Sequence, residues 1–403
     1  MMGTQRGLLA QVSAAHLVSH FHIMTIPALL PLLPTAMGVS FVDLGIALAV
    51  FNIVTALVQA PLGYAVDRLG ARRLLLAGLT LGSVSFALVS IHPTFETLVG
   101  AMALAGMANG VYHPSDYSLL SQNIPPDRIG RAFSIHTFAG FLGSALAPLI
   151  LVGVGTALGS RWALAASSAL GLATLAAIGV SGWRTPPLQS APDRSDGKSR
   201  RSRPPSVVTL TMLILTAFFL LLNLSTGAIE KFSVSALVQG FDVSLPTANL
   251  ALTAFLFASA FGVLAGGVLA DRTVRHGVVA AVAFMLAAAL VVLVILVPLP
   301  KPLLILTMGA VGFLTGSIAP SRDMLVRASA PAGSEGRVFG IVSTGFNIGG
   351  VIGPVLFGYF LDNGFAGGVL WASVGFMIAT SLIVVLQEWR VSFDRTLSKR
   401  NTA

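Results

Sequence analysis

The chain has no cysteine and little charge. Cysteine is absent from all 403 residues, so neither disulfides nor thiol chemistry can carry its function. Charged residues make up only 10%, whereas hydrophobic residues make up 55% and the mean hydropathy is +0.87. Soluble domains are far more polar, so we expect an integral membrane protein. No phosphate-binding glycine loop occurs, which argues against a nucleotide-driven pump.

Apolar runs recur along the chain at about 20 residues, the length at which an α-helix crosses the hydrocarbon core. They predict an all-α membrane protein with twelve transmembrane helices. In chain order, the predicted helices 1 to 12 are 10–34, 41–65, 74–93, 96–122, 132–155, 161–183, 207–236, 247–270, 278–298, 302–326, 338–361 and 369–388. The N-terminal MMGTQRGLLAQ lacks a cleavable signal pattern and is expected to be a short cytoplasmic lead into helix 1.

The positive charges predict the orientation of these helices. If both termini are cytoplasmic, twenty of the 24 lysines and arginines lie inside, in agreement with the positive-inside rule. Six are in the central loop, four are in the tail, and the other ten are Arg6, Arg68, Arg72, Arg73, Arg128, Arg131, Arg272, Arg275, Arg327 and Arg337. We therefore interpret the net charge of +9 as an orientation signal and predict no nucleic-acid partner. The expected location is a bacterial-type cytoplasmic (inner) membrane, with both termini cytoplasmic.

The second half of the sequence repeats features of the first. Residues 110–133 match residues 316–339 at a shift of 206, and Asp67-Arg68 match Asp271-Arg272 at a shift of 204. Between the halves lies a segment rich in Pro, Ser and Arg, which is typical of a flexible tether. We therefore predict an N-terminal six-helix bundle at 1–185, a cytoplasmic linker at 186–206 and a C-terminal six-helix bundle at 207–403.

Residues 63–73, GYAVDRLGARR, resemble the signature loop of the major facilitator superfamily. The second copy departs after Asp271-Arg272, with Gly277 displaced. The resemblance covers the whole chain and implies two bundles that expose a central site alternately to each side, with helices 1, 4, 7 and 10 lining the cavity. It also implies a monomeric transporter of a small molecule in the lipid bilayer, not an enzyme, and no cofactor.

The same resemblance implies a cytoplasmic gate in these loops. Asp67 can lie near Arg131, or near the N-terminus of helix 11, whose partial positive charge favours an anion. Alternatively, the arginines only fix the topology. The residues given a gating role are Asp67, Arg68, Arg131, Asp271, Arg272 and Arg337.

Charged side chains inside the predicted helices are few: Asp116, Glu230, Lys231, Arg322 and Asp323. A charge at mid-membrane costs roughly 2.5–3.5 kcal/mol on insertion scales, so each is a functional candidate. Asp116 and Arg322 are equivalent under the repeat, and a pair between them across the two halves would make a breakable gate. Alternatively, Arg322 pairs with Asp323 or binds substrate directly.

Helix 7 has a polar face with Asn223 and Glu230, and Lys231 lies beside it. Glu230 and Lys231 either neutralise each other or coordinate an anionic substrate and a proton. Together with Arg322, Lys231 favours an anionic or zwitterionic substrate. The predicted substrate-binding residues are His20, Asn109, His113, Asn223, Glu230, Lys231 and Arg322.

Histidines concentrate in the first half of the chain. His16 and His20 share one face of helix 1, while His22 points elsewhere. Proton coupling is assigned to His20, His113, Asp116 and Glu230, because such groups can take up a proton near neutral pH. Alternatively, the histidines only bond to neighbouring helices. A transition-metal site of His16, His20, His113 and Asp116 is a further alternative. It lacks cysteine or clustered methionine ligands, so we predict no metal.

Ser19-His20 and Tyr112-His113-Pro114 resemble the fosmidomycin-resistance branch of the superfamily, whose members export drugs against protons. Helix 1 departs from that branch after His20, because it continues as Phe21-His22 without Asn-Asp. The predicted function is proton-coupled transport of a small organic anion or zwitterion, with efflux by antiport favoured. The alternatives are an uptake symporter of an organic anion and a transition-metal transporter.

Overall fold

The computed structural model describes residues 2–125, 128–180, 210–273, 275–329, 338 and 341–401, and these residues contain helices and turns but no strand. The first half contains α1 (Met2–Ile23), α2 (Thr25–Leu29), α3 (Leu33–Met37), α4 (Phe41–Leu69), α5 (Ala71–Ile91), α6 (Phe95–Asn123), α7 (Ile129–Leu158) and α8 (Ser160–Val180). The second half contains α9 (Leu210–Gly227), a π-helix (Ala228–Phe232), α10 (Ser233–Gly240), α11 (Leu245–Arg272), α12 (His276–Leu296), α13 (Lys301–Ser329), α14 (Thr344–Asp362) and α15 (Gly367–Asn401). The predicted linker 186–206 lies outside the described residues.

Helices occur where hydropathy predicts them, with two differences. Predicted helix 1 begins at Met2 and is broken into α1, α2 and α3 near Pro27 and Pro31, because proline lacks the N–H that a continuous helix needs. Predicted helix 12, expected to end at 388, continues as α15 to Asn401. No glycine or proline follows Gly375 to end it.

Ten helices among the described residues are long and apolar enough to cross a membrane. The predicted segments that fall short are the first, in α1, and the fourth, in α6. Both carry the polar residues on which the functional predictions rest, and these lower their hydropathy. The structure therefore establishes an all-helical membrane protein, whereas the count of twelve spans stays a prediction.

Successive long helices run in opposite directions, so their turns define two faces. We call the face at which α4, α6 and α11 end, at Leu69, Asn123 and Arg272, the basic face. The opposite face has the turns at 38–40, 92–94, 159, 241–244, 297–300 and 363–366. At the basic face, Gly70 joins α4 to α5 with a φ of 94°, a conformation that favours glycine. This is the short turn expected of the signature loop.

The internal repeat is visible in the packing. Gly106 of α6 lies against the backbone of Phe51 in α4, where a Cβ would meet the carbonyl oxygen at 2.6 Å. Gly312 of α13 lies in the same way against the carbonyl of Phe255 in α11. Glycine allows this approach because it has no side chain, as is common between transmembrane helices. Equivalent glycines thus make equivalent contacts in both halves.

Candidate functional site

Three polar side chains meet inside the first half, and we call them the buried cluster: His16 of α1, Asp116 of α6 and His136 of α7. The exposed fractions of these residues are 4%, 0% and 2%. Oδ2 of Asp116 lies 3.3 Å from Nδ1 of His16 and 3.6 Å from Nε2 of His136. These contacts lack hydrogen-bond geometry, so neither carboxyl oxygen has a hydrogen-bond partner among the described residues. The two imidazoles stack at 3.8 Å between centroids.

Small residues of α7 bring these groups together. A Cβ on Gly140 would lie 2.7 Å from Cδ2 of His16, and a Cβ on Gly143 would overlap the carbonyl oxygen of Leu17. The helices α1 and α7 can therefore approach closely only with glycine at both positions. His136 lies one turn before Gly140, on the same face of α7, and so points at α1.

His20 and His113 lie at the edge of the buried cluster. The imidazole centroids of these residues are 4.6 Å and 5.4 Å from that of His16. Nδ1 of His20 lies 3.1 Å from the hydroxyl of Ser144 in α7. His113 is exposed and stacks on Tyr117 at 6.1 Å. The structure thus places the predicted proton-coupling residues His20, His113 and Asp116 together. The fourth, Glu230, lies in the second half of the chain.

Two other predicted residues of the first half make helix contacts. Nδ2 of Asn109 lies 3.5 Å from the hydroxyl of Thr55 in α4, which makes it a link between α6 and α4. Nε2 of His22 lies 3.1 Å from the carbonyl oxygen of Ser167 in α8, and its ring packs on Phe86. His22 faces away from the cluster, as the helical spacing predicted.

The second half carries fixed charges in place of histidines. Nε of Arg322 donates to Oδ1 of Asp323 at 2.8 Å. Its guanidinium lies 5.2 Å and 5.3 Å from the ring centroids of Phe219 and Phe346, which is within cation–π range. The predicted pair of Asp116 with Arg322 is not formed in this structure. Arg322 instead takes the alternative partner, because Asp323 is next to it in sequence and Asp116 is enclosed by the histidines.

Glu230 and Lys231 lie in the π-helix Ala228–Phe232, and both are partly exposed. Neither forms an ion pair with another described residue, and the two side chains interact only at longer range. Asn223 packs on Gly349 of α14. Short π-helices frequently mark functional sites, which agrees with a role for Glu230 and Lys231.

The predicted gating residues lie at the basic face. Arg68 donates to the hydroxyl of Tyr64 at 2.6 Å and covers that ring. Arg131 lines a cavity of about 690 Å³ together with Arg6 and Arg128. Asp271 and Arg272 are exposed and pair with no described residue. The side chain of Asp67 and all of Arg337 lie outside the described residues, so their predicted contacts stay predictions.

The sequence reasoning left His136 without a role. A signal was available, because the small residues at 140 and 143 predict the face of α7 that meets another helix, and His136 is on that face. The side-chain nitrogens and the oxygen of the buried cluster lie within 4.8 Å of one another, a spacing that also suits a metal ion. Histidine and a buried carboxyl can equally exchange protons.

Comparison with known proteins places this geometry in context. The sequence model of the Major Facilitator Superfamily matches residues 12–237 and 229–401. The fosmidomycin resistance protein of Escherichia coli (strain K12) is 27% identical over 279 residues, 68% of each chain. Probable anion transporter 6 of Oryza sativa subsp. japonica is 25% identical over 360 residues, 81% of each chain.

Solved structures share the fold. A bacterial homologue of the human lysosomal transporter Spinster has a TM-score of 0.74 at 14% identity, covering 95% of this chain and 96% of that chain. The nucleoside transporter NupG has a TM-score of 0.75 at 15% identity, covering 94% and 99%.

Proposed function

The chain belongs to the major facilitator superfamily, and from this premise we propose that it is a proton-coupled secondary transporter of a small organic anion or zwitterion, working as an efflux antiporter. In this proposal α1 and α6 cross the membrane with the ten apolar helices, giving twelve spans in two bundles. The protein acts as a monomer in a cytoplasmic membrane. The basic face and both termini are cytoplasmic, since most of the positive charge lies there.

The observation that carries the proposal is the carboxyl group of Asp116, buried between two imidazoles with neither oxygen hydrogen-bonded. A buried charge without compensation is costly, so the charge on Asp116 has to be balanced by a proton on the carboxyl or on a neighbouring histidine. Histidine changes its charge between pH 5 and 8. Uptake or release of one proton would therefore change the attraction among α1, α6 and α7, which are the helices that hold the cluster.

A route for protons between the cluster and the basic face is supported by the cavity beneath it. Leu9 of α1 lines that cavity seven residues before His16, and Ala132 of α7 lines it four residues before His136. Both spacings return to the same helix face, so the cavity lies one to two turns below the cluster. In the proposed orientation it opens to the cytoplasm.

An anionic or zwitterionic substrate is supported by fixed positive charge. Arg322 lies over two aromatic rings that contact each other, Lys231 has no described ion-pair partner, and three arginines line the basic-face cavity. Arginine binds carboxylate and phosphate groups in a bidentate manner. The Escherichia coli relative is named for resistance to fosmidomycin, and the rice relative is named a probable anion transporter. We propose phosphonates and carboxylates as the first substrates to test.

The test is substrate-driven proton flux in proteoliposomes that contain a pH-sensitive dye, with no imposed potential. Fosmidomycin, simple carboxylates, cationic drugs and Zn²⁺ serve as probes. Proton movement opposite to an organic anion, lost in Asp116→Asn, is the expected result. His22→Gln is the matched control, because His22 is equally buried but faces α8. Co-movement with the anion would make the protein a symporter, and no proton flux with any probe would overturn proton coupling.

A transition-metal transporter is the second candidate, and the 4.8 Å spacing of the cluster favours it. Proton flux driven by Zn²⁺ alone would support it. Flux driven by organic anions and insensitive to Zn²⁺ would reject it.

A further inference from the structure

A carboxylate of the second half caps a helix of the first half. Oδ1 of Asp362, the last residue of α14, accepts a hydrogen bond from the backbone N–H of Phe41 at 2.8 Å. Oδ2 accepts one from the N–H of Val42, also at 2.8 Å. Phe41 and Val42 are the first two residues of α4. One side chain thus joins the two halves at the opposite face.

The cap is complementary to the one that α4 makes for itself. The first N–H groups of a helix have no acceptor within the helix. The hydroxyl of Ser40 accepts from the N–H of Asp43 at 3.0 Å, and the carboxylate of Asp43 accepts from the N–H of Ser40 at 2.8 Å. This local capping box leaves the N–H groups of Phe41 and Val42, and Asp362 takes both. A negative charge at a helix N-terminus is also favoured by the helix dipole.

The cap ends a continuous contact between α4 and α14. A Cβ on Gly358 would overlap the carbonyl oxygen of Phe41, and a Cβ on Gly45 would overlap that of Pro354. Nearer the membrane centre, Nδ2 of Asn52 donates to the carbonyl oxygen of Gly350 at 2.8 Å. All of these contacts lie between the opposite face and the middle of the helices.

The close contacts of α4 with α14 that have been described lie between Phe41 and Asn52, so the opposite face is closed across this pair of helices.

We propose that Asp362 is the latch of the opposite-face gate, a positioning residue for transport that holds the halves together until the protein opens to that side. The proposal rests on the alternating access of the proposed function, because opening at this face has to separate α4 from α14. Two charge-assisted hydrogen bonds and the favourable dipole are then lost together.

The absence of native cysteine makes a direct test straightforward. Spin labels on Glu96→Cys and Lys301→Cys report the distance between the halves at the opposite face, and labels on Gln122→Cys and Arg275→Cys report it at the basic face. The expected result for Asp362→Asn is an increase of about tenfold in the ratio of open to closed populations at the opposite face. The basic-face pair should shift toward shorter distances.

Two control variants separate the latch from a general loss of helix capping. Asn363→Ala removes a 2.8 Å bond to the carbonyl oxygen of Tyr359 within α14. Ser40→Ala removes the local cap of α4. Both should leave the populations near those of the wild type. Unchanged populations in Asp362→Asn, or an equal shift in Ser40→Ala, would overturn the proposal.

Hydrogen exchange gives a second measurement that does not need the gate to move. The amides of Phe41 and Val42 should exchange faster in Asp362→Asn, while the amide of Asp43 keeps its protection. Equal exchange in the variant and the wild type would show that the cap is absent in the membrane. A population shift without proton flux would reject proton coupling and leave the latch standing. Proton flux in the wild type, with no population shift in Asp362→Asn, would support proton coupling and overturn the latch.

Discussion

Asp116 in α6 and Arg322 in α13 are equivalent under the internal repeat, yet the side chains have opposite charges and different neighbours. Asp116 is fully buried between two histidines, whereas Arg322 is 19% exposed beside Asp323 and two phenyl rings. The backbone contacts at Gly106 and Gly312 are alike in the two halves. The repeat has therefore kept its packing while its chemistry diverged, with titratable groups in one half and fixed charge in the other.

The largest effect on this comparison is expected from Gly143→Ala. The new Cβ would overlap the backbone of Leu17, which cannot rotate away, so we expect a loss of about 3 kcal/mol in the free energy of unfolding. Its repeat equivalent Gly349→Ala should lose less, because the new Cβ meets mainly the side chain of Asn223. Thermal unfolding in detergent measures both. Gly153→Ala is the control, since no atom lies within 4 Å of its new Cβ. Equal stability of the variants at 143 and 153 would contradict the expected contact.

A double-mutant cycle tests whether the two equivalent charges act separately. Asp116→Asn should lower proton flux about 100-fold, as expected for loss of a proton-transfer group. Arg322→Gln should raise the KM for an organic anion about tenfold. At a substrate concentration well below KM, both single variants should therefore lower proton flux. The two factors should multiply in the double variant, because the two residues do not pair in this structure. A double variant no worse than Asp116→Asn alone would indicate that they do pair, as a gate, in another conformation.

Within the first half, His136→Gln should weaken the pH dependence of transport and lower proton flux about tenfold, because the cluster loses one titratable group. His113→Gln should change the pH dependence and the flux less, because His113 is exposed and its ring centroid is 5.4 Å from that of His16, at the edge of the cluster. Flux measured at a series of pH values compares the two. A larger loss of flux in His113→Gln than in His136→Gln would indicate that the proton pathway runs along the edge of the cluster.

The smallest effect is expected from Ser144→Ala, which removes the neutral hydrogen bond to His20. Net loss of such a bond changes affinity or flux by about threefold. Ser134→Ala on the same helix is the control, since within the described part of the chain its hydroxyl bonds only to the carbonyl oxygen of Gly130. A loss comparable to that of Asp116→Asn would place His20 within the proton-coupling unit.

Hydropathy predicted most of the helices because an apolar run of one length has one stable form in a bilayer. The repeat predicted that Gly110 and Gly316 are equivalent. Gly110 does pack on α4, and Gly316 packs on the equivalent helix of the second half, α11. Polar residues within apolar segments also predicted that Asp116 and His113 lie near His20. The first two inferences use only the order of residues along the chain, and the third adds the family resemblance, which assigns helices 1 and 4 to one cavity.

Inferences that need the distance between helices were less successful. His136 lies beside Asp116 because α7 approaches α1 closely at two glycines. In the sequence, the spacing of these two small residues is only indirect evidence of that approach. The expected pair of Asp116 with Arg322 assumed that equivalent residues meet at the symmetry axis. The π-helix at Glu230 follows from no local composition rule. Asp362 is an ordinary helix-terminal residue in sequence, and only the neighbouring helix gives it a partner.

Two of the three helices that bear the buried cluster, α1 and α6, are absent from the ten apolar spans among the described residues. During synthesis an apolar segment enters the bilayer on its own hydropathy, whereas a segment with histidine, asparagine and aspartate pays several kcal/mol for each buried charge. We expect α1 to be held stably only after α7 has been made, because α7 supplies the neighbours of its histidines. The residues that suit the protein to its proposed activity thus make its assembly in the membrane depend on helices that are synthesised later.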